Sequence, residues 1–375
     1  MQVEINFEDL CKKIEEFGRS VFFVSSNSYS RFSFAERLLE KIPGIQVERF
    51  HDFQENPKLE DLIKGLERFR VSGSRLIVAL GGGTAIDLAK LIKFYSEYTF
   101  VGNESSPPEI SNFNDDIELV AIPTTFGTGS ESTHFAVVYA AGKKYSVASY
   151  RILPNYYLID GSFAETLPPH IKGASCLDAL CQAIESYWNK NRDEVSVNFA
   201  KEALKRVVAN FRGFIDGDKS TFREMAYAAN LAGKAINITK TTAPHALSYT
   251  LTSHFAVSHG HAVALCIRHM FQINEDCFKA SRDSDGVQMM QDLYNLLGVS
   301  RAVDACGLIN NFLRWSGLET DIKKLGVETY KDLELIVSNT NLERLSNHPV
   351  NLNSEHLLSS LTGEQPLSLE YHNKV

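Results

Sequence analysis

The sequence predicts an α/β chain in two parts: a parallel sheet interleaved with helices, then an all-helical half. Three observations predict it. Strand-like and helix-like blocks alternate as far as Asp160. Two of the strands, Arg75–Leu80 and Glu118–Pro123, are continuous apolar runs, as strands buried on both faces are. Beyond Asp160 the β-rich runs nearly vanish.

Taken in order, Phe7–Phe17 has helical periodicity and Ser20–Ser25 (SVFFVS) is a β-rich run leading into a polar loop. Arg31–Lys41 reads as helix, Ile45–Phe50 as a short strand, and Leu59–Val71 as helix from the spacing of Leu62, Leu66 and Phe69. Strand 75–80, helix Ala85–Tyr95 and strand 118–123 complete the pattern. Strands separated by helices at this spacing imply parallel pairing with right-handed crossovers, and ligands on such sheets sit beyond the carboxyl ends of the strands. In the second half, Leu177–Trp188, Val195–Phe211, Phe222–Ile236, Ala262–Asn274 and Val287–Leu297 repeat apolar residues every three or four positions, and Pro168-Pro169 marks the transition. The expected domains are 1–160, α/β, and 161–375, all-helical, with the last dozen residues a loose tail. A site between two such domains is the usual arrangement.

Composition narrows the function. Among 375 residues, 44% are hydrophobic and 22% charged, an ordinary globular balance that excludes disordered and fibrous classes. The net charge of −8 has the wrong sign for a nucleic-acid backbone binder. Apolar stretches such as Leu76–Leu80 and Phe135–Ala141 are too short to span a membrane. The opening MQVEINFEDLCKKIEEF carries acids where a signal peptide needs a basic, then apolar, run. Six cysteines without CxxC spacing read as reduced thiols, so the expected compartment is the cytoplasm.

Three constellations carry chemistry. Leu80 is followed by Gly81-Gly82-Gly83-Thr84-Ala85-Ile86-Asp87. Glycines between a buried strand and a helix let backbone approach a ligand, and the helix start offers free N–H groups to a phosphate. The same residues also make a tight turn. Pro123-Thr124-Thr125-Phe126-Gly127-Thr128-Gly129 is a second loop, suited either to a polar cofactor or to a plain turn. Third, Asp178 lies on a largely apolar helix, while His245, His259 and His261 fall within seventeen residues of each other. A carboxylate and two imidazoles suffice for a catalytic divalent metal. The bland alternative for Asp178 is a helix-capping box with Ser175.

Together these pieces resemble the iron-containing, or group III, alcohol dehydrogenase family, which shares its fold with dehydroquinate synthase and glycerol dehydrogenase. The resemblance is carried, in order, by Asn56-Pro57, GGGTAIDLAK at 81–90, IPTTFGTGSEST at 122–133, LDALCQAIESY at 177–187 and PHALSYTLTSHFAVSHGHAVA at 244–264. It implies a dehydroquinate synthase-like fold with an N-terminal dinucleotide-binding domain and a helical metal and substrate domain. It also implies a homodimer or larger assembly. By the same matching, Gly82, Gly83, Thr84 and Asp87 fall on cofactor positions, as do Asn56, Thr124, Thr125, Thr128 and Lys144. Asp178, His245 and His259 fall on metal-ligand positions.

The departures are informative. The family's fourth ligand, a His four residues after the Asp, is Gln182 here, which makes zinc as credible as iron. A second His near the nicotinamide is replaced by Tyr249, a phenol of higher pKa, so proton delivery could instead use His134 or His254. Ser26 stands where NAD-preferring members carry an Asp, and Arg31 is nearby, so NADPH is as admissible as NADH.

Before His245 the segment AGKAINITKTTAPH places Lys234 and Lys240 where the family has uncharged residues. A buried ammonium needs an anion, so these lysines, Lys240 above all, with His134, predict an anionic aldehyde as substrate; the bland alternative is that both reach out to solvent. QAIESYW, AINITKTTAPHALSY and HFAVVY resemble the phosphonoacetaldehyde reductase branch, which makes 2-hydroxyethylphosphonate in phosphonate biosynthesis. The expected function is therefore NAD(P)H-dependent reduction of a small anionic aldehyde, with a metal polarising the carbonyl. A lactaldehyde, butanol or glycerol dehydrogenase and a dehydroquinate synthase-like lyase with recycled NAD are the alternatives.

Overall fold

A computed structural model describes residues 2–25, 33–100 and 105–364, and the chain divides into two compact units, 1–166 and 167–375. Ser26 and Arg31 lie outside the described residues.

Among its described residues the first unit has eight strands. They are β1 (Val3–Glu4), β2 (Ser20–Ser25), β3 (Gln46–Phe50), β4 (Leu76–Gly81), β5 (Glu118–Pro123), β6 (Phe135–Ala140), β7 (Lys143–Ala148) and β8 (Tyr156–Tyr157). Six of them form one parallel sheet in the order β1-β8-β5-β4-β2-β3. Its helices are α1 (Phe7–Glu16), α2 (Phe34–Lys41), α3 (Leu59–Ser72) and α4 (Gly83–Phe94). Val21 to Val24, Leu76 to Leu80 and Leu119 to Ile122 are wholly buried, as central strands covered on both faces must be. The chain runs outward from β2 to β3 and returns to β4 on the other side of β2. The strand order therefore reverses between β2 and β4, the place where sheets of this kind bind ligands at their carboxyl ends, and Gly81 ends β4 there.

Four strands of this unit, β1, β6, β7 and β8, have no counterpart in the sequence reading. By sequence Phe135–Ala141 is only an apolar stretch, yet β6 and β7 form an antiparallel hairpin turning on Ala141 and Gly142, both at positive φ. Strands β1 and β8 are two residues each, too short for any periodic signal.

The described residues of the second unit form helices and their connections, with no strand among them. It comprises α5 (Pro169–Trp188), α6 (Glu194–Asp216), α7 (Phe222–Thr239), α8 (Ala243–Ser253), α9 (His259–Ile267), α10 (Met270–Ala280), α11 (Ser284–Leu297), α12 (Ala302–Trp315), α13 (Tyr330–Ser338), α14 (Leu342–Leu345) and α15 (Ser354–Thr362). No described helix is long and apolar enough to cross a membrane.

Two helices differ from the expectation and a third was not expected. Helix α5 begins at Pro169, which occupies a first-turn position where its missing N–H is no loss, rather than at Leu177. Ser175 and Asp178 are therefore interior, and the capping-box alternative falls away. The run 262–274 is two helices, α9 and α10. Arg268 and His269 between them keep near-helical backbone angles, so the apolar periodicity crosses the break unchanged. Helix α8, unread in the sequence, starts at a Pro244-containing first turn.

Candidate metal and nucleotide sites

In the first unit the two polar loops meet. Gly82 is the N-cap of α4 and offers no side-chain cap, so the first N–H groups of the helix are unclaimed by it. A Cβ on Gly82 would lie 2.8 Å from Thr125 Oγ1, and one on Gly83 would lie 2.8 Å from Thr128 Cγ2. A side chain at either position would have to push a threonine side chain aside. Gly81 and Thr124 are joined by a backbone hydrogen bond of 3.0 Å. Thr84, Thr125 and Thr128 are half-buried beside the glycines, and Thr124 is buried.

Asp87 and Lys90 lie one turn apart inside α4. Asp87 Oδ2 accepts from Val137 N at 3.0 Å, whereas Oδ1 accepts no hydrogen bond and lies 3.7 Å from Lys90 Nζ. Burial pushes the Asp87 carboxyl up, with Lys90 pulling it back. Lys90, fully buried, donates to Thr133 Oγ1 at 2.8 Å and to Phe135 O at 3.0 Å, and burial lowers its pKa to about 8. Asn56 is exposed and adopts a φ of 60°, which asparagine tolerates well. The adjacent Pro57 carbonyl binds Tyr139 N of β6. Lys144 pairs opposite Tyr139 across the hairpin. His134, at the start of that hairpin, stacks on Tyr150 at 4.5 Å.

In the second unit, α5, α8 and α9 bring together Asp178, His245 and His259, whose ligand atoms all lie within 4.8 Å of one another. His245 Nε2 is 3.3 Å and His259 Nε2 3.9 Å from the same oxygen, Asp178 Oδ1. Asp178 Oδ1 and His245 Nε2 are buried and accept or donate no hydrogen bond. Two unsatisfied polar atoms in a hydrophobic core fit a cation that both would ligate. The His259 side chain is 34% exposed against 5% for Asp178, so the cluster opens on the His259 side. Gly260 makes this approach possible: a Cβ there would sit 1.9 Å from the Ala174 carbonyl oxygen of α5. Burial opposes charge on His245, but the carboxylates of Glu185 and Asp178 outweigh it and raise its pKa to about 10. The same field attracts a divalent cation.

Gln182 is buried one turn beyond Asp178. Tyr249, one turn beyond His245, lies with its ring nearly parallel to that of His259 at 6.3 Å. His261 points elsewhere: two residues on from His259 it faces the other side of α9, where Nε2 binds the Glu319 carbonyl at 2.7 Å. His254 is exposed at the end of α8. Lys234 is half-buried on α7. Lys240 pairs with Glu343 on α14 through a partly exposed ion pair, so its ammonium is not held alone near the cluster. Its backbone is unusual, with φ 62° and ψ −174°, a region that is nearly glycine-only.

The sequence reading missed Glu185. This fully buried carboxylate contacts His245 Nδ1 and Thr242. Its signal was available: seven residues after Asp178, it stands two turns along the same face of α5.

The fold and these two sites define a class, an α/β-plus-helical oxidoreductase architecture with a glycine cradle and an Asp-His-His metal cluster. Two family models cover the chain, iron-containing alcohol dehydrogenase at residues 4–161 and the C-terminal domain of the same family at residues 172–362. The protein belongs to the iron-containing alcohol dehydrogenase family.

Among curated relatives, the NADPH-dependent butanol dehydrogenase of Clostridium saccharobutylicum is 29% identical over 265 residues, 68% of each chain. The aldehyde-alcohol dehydrogenase 2 of Entamoeba histolytica is 28% identical over 270 residues, 68% of this chain but only 31% of that longer protein. Among solved structures, the sulfoacetaldehyde reductase of Bifidobacterium kashiwanohense in complex with NAD+ superposes with a TM-score of 0.84 at 24% identity, covering 96% of both chains. The iron-containing alcohol dehydrogenase of Thermococcus thioreducens gives 0.83 at 23% identity, covering 97% of this chain and 98% of that one.

Proposed function

We propose that the protein is a metal-dependent NAD(P)H oxidoreductase that reduces a small anionic aldehyde to its alcohol, with phosphonoacetaldehyde as the specific substrate. The observation that carries the oxidoreductase reading is the Asp178, His245 and His259 cluster with its two unsatisfied buried atoms. Iron(II) or zinc held there, with Gln182 as a weak fourth donor, supplies Lewis acidity toward a carbonyl oxygen.

Gly82, Gly83 and Thr84 present bare backbone to the cofactor pyrophosphate, and Thr124, Thr125 and Thr128 add hydroxyls. The unsatisfied Asp87 Oδ1 is an acceptor for the nicotinamide end. Asn56 and Lys144 complete the cofactor contacts. The reaction consumes one aldehyde, one hydride from NADH or NADPH and one proton. Tyr249 donates that proton from its hydroxyl, with His134 the alternative donor.

The anionic substrate rests on Lys234 and Lys240. The Lys240–Glu343 pair is partly exposed on both sides, and such pairs contribute about 1 kcal/mol or less, so a substrate anion competes for the ammonium. The fold accommodates this chemistry, since the Bifidobacterium neighbour is a sulfoacetaldehyde reductase. Six free cysteines support a reducing cytoplasm, and the family resemblance supports a homodimer or larger assembly.

The test is loss of reduced-nicotinamide absorbance, with each of NADH and NADPH, over two- to four-carbon aldehydes with and without a phosphonate, phosphate or carboxylate. Phosphonoacetaldehyde turning over best, with KM raised selectively in Lys240→Ala, sustains the proposal. Faster turnover of butyraldehyde than of any anionic aldehyde overturns the substrate, and cofactor recycled without net consumption overturns the reaction.

A further inference from the structure

Glu185 lies beyond the ligand set, yet it uses both carboxylate oxygens. Oε1 contacts His245 Nδ1, the ring nitrogen opposite the one aimed at Asp178. Oε2 accepts from Thr242 N at 2.6 Å and from Thr242 Oγ1 at 2.8 Å. Thr242 is the N-cap of α8 and makes no capping bond to its own helix. Its hydroxyl instead also accepts from Trp188 Nε1 at 3.2 Å. Glu185, Thr242 and Trp188 are all fully buried. A carboxylate on α5 thus holds the start of α8 and, three residues later, the ring of His245.

The neighbouring peptides are pinned in the same manner. Asn189, one turn beyond Glu185 on the same helical line, donates to the carbonyls of Thr239 and Lys240 at 3.2 and 3.3 Å. Asn347 donates to Thr241 O at 3.1 Å. Every peptide of the 239–242 connection is therefore held by a side chain from elsewhere, and only Glu185 among these also touches a ligand of the cluster.

We infer that Glu185 is a positioning residue for the metal: it takes the Nδ1 proton of His245 as a hydrogen bond, which leaves the Nε2 lone pair facing Asp178 and His259. An imidazole has one lone-pair nitrogen when neutral, and the partner of the other nitrogen decides which one it is. A carboxylate accepts only, so it selects the Nδ1–H tautomer and makes the opposite nitrogen more basic toward a cation. A glutamine has no such preference, because its amide can turn and donate. The inference rests on the metal-site reading above.

The experiment measures affinity for Zn²⁺ and Co²⁺ by chelator competition, and the visible absorption of the Co²⁺ protein, in wild type, Glu185→Gln, Thr242→Val and His259→Ala. Circular dichroism and thermal unfolding are run on each. In Glu185→Gln, affinity should fall by about 10–100-fold, the range for losing an outer carboxylate partner, with an altered cobalt spectrum and a folded chain. Thr242→Val removes the helix-start contact of the hydroxyl and leaves His245 with its partner, so it should lower the melting temperature while retaining wild-type affinity and spectrum.

Wild-type affinity and spectrum in a folded Glu185→Gln would overturn the inference, as would equal losses of affinity in Glu185→Gln and Thr242→Val, the mark of a merely structural role. His259→Ala separates the two readings. If it too keeps full affinity, the metal site itself is wrong. If it alone loses affinity, only the role of Glu185 fails. Should Glu185→Gln not fold, nitrogen NMR of the wild-type zinc protein decides: a protonated Nδ1 on His245 sustains the inference, and an unprotonated one ends it.

Discussion

The two units build their sites by opposite means. In the first, the cradle exists because atoms are missing: Gly82 and Gly83 let one loop settle against Thr125 and Thr128. In the second, the cluster exists because side chains are present and held by others, as Glu185 holds His245. The first should therefore be damaged by adding atoms and the second by removing them. Gly260 belongs to the second site but follows the rule of the first, since its missing Cβ is what admits α9 to α5.

The largest expected effect is in the second site. Asp178→Ala or His259→Ala should lose metal by more than the ~10–100-fold typical of outer-shell changes, measured as bound metal after dialysis. Unchanged metal content would break the comparison outright. Next is Gly260→Ala against Gly82→Ala. The first places a Cβ 1.9 Å from a backbone carbonyl, which cannot step aside, and should cost roughly 1–3 kcal/mol or more along with metal. The second meets a threonine hydroxyl at 2.8 Å, a group able to rotate, so it should leave the melting temperature nearly intact and weaken dinucleotide binding.

Lys90 gives a third test, through pH. Its folded pKa of about 8 lies below the ordinary 10.5, so between those values the unfolded chain binds more protons than the folded one. Stability from this group must then rise with pH across that window, and is penalised below it. Wild type should gain on Lys90→Met between pH 8 and 10.5 in paired thermal melts, and a constant difference would show that Lys90 is not depressed.

Smallest is Lys240→Gly. It relieves a backbone conformation worth about 1–3 kcal/mol of strain, and loses a partly exposed ion pair and some unfolded-chain restriction. The net change in melting temperature should be slight and upward. A large fall would mean that Glu343 holds Lys240 for a structural purpose.

The central sheet was legible because buried parallel strands such as Leu76–Leu80 are apolar without interruption, which few other elements are. Ser20–Ser25 and Glu118–Pro123 coincide with their strands for the same reason. Strand β8 escaped because two residues cannot show a period, and α8 because Pro244 and the threonines before it are poor helix formers. Asp178, His245 and His259 were legible as types in a family-like order, and the structure gathers them. Glu185 was not singled out, since a lone Glu on a helix usually faces water. Its spacing from Asp178 was the available signal, and the fold shows that α5 is buried on every side from Cys176 to Trp188. The pairing of Lys240 with Glu343 spans more than a hundred residues and leaves no local mark.

The edge strand β1 has a consequence for how the chain is made. Val3 pairs with Tyr156, so during synthesis β1 waits for a partner more than 150 residues further along the chain. At about 5–20 residues per second of synthesis, that wait is roughly 8–30 s. For the last roughly 2–7 s of it, after β5 has been made, the flank of β5 that β8 will cover stays open to other chains. A two-residue edge with little to template is a modest hazard over such an interval, whereas a long apolar one would invite aggregation.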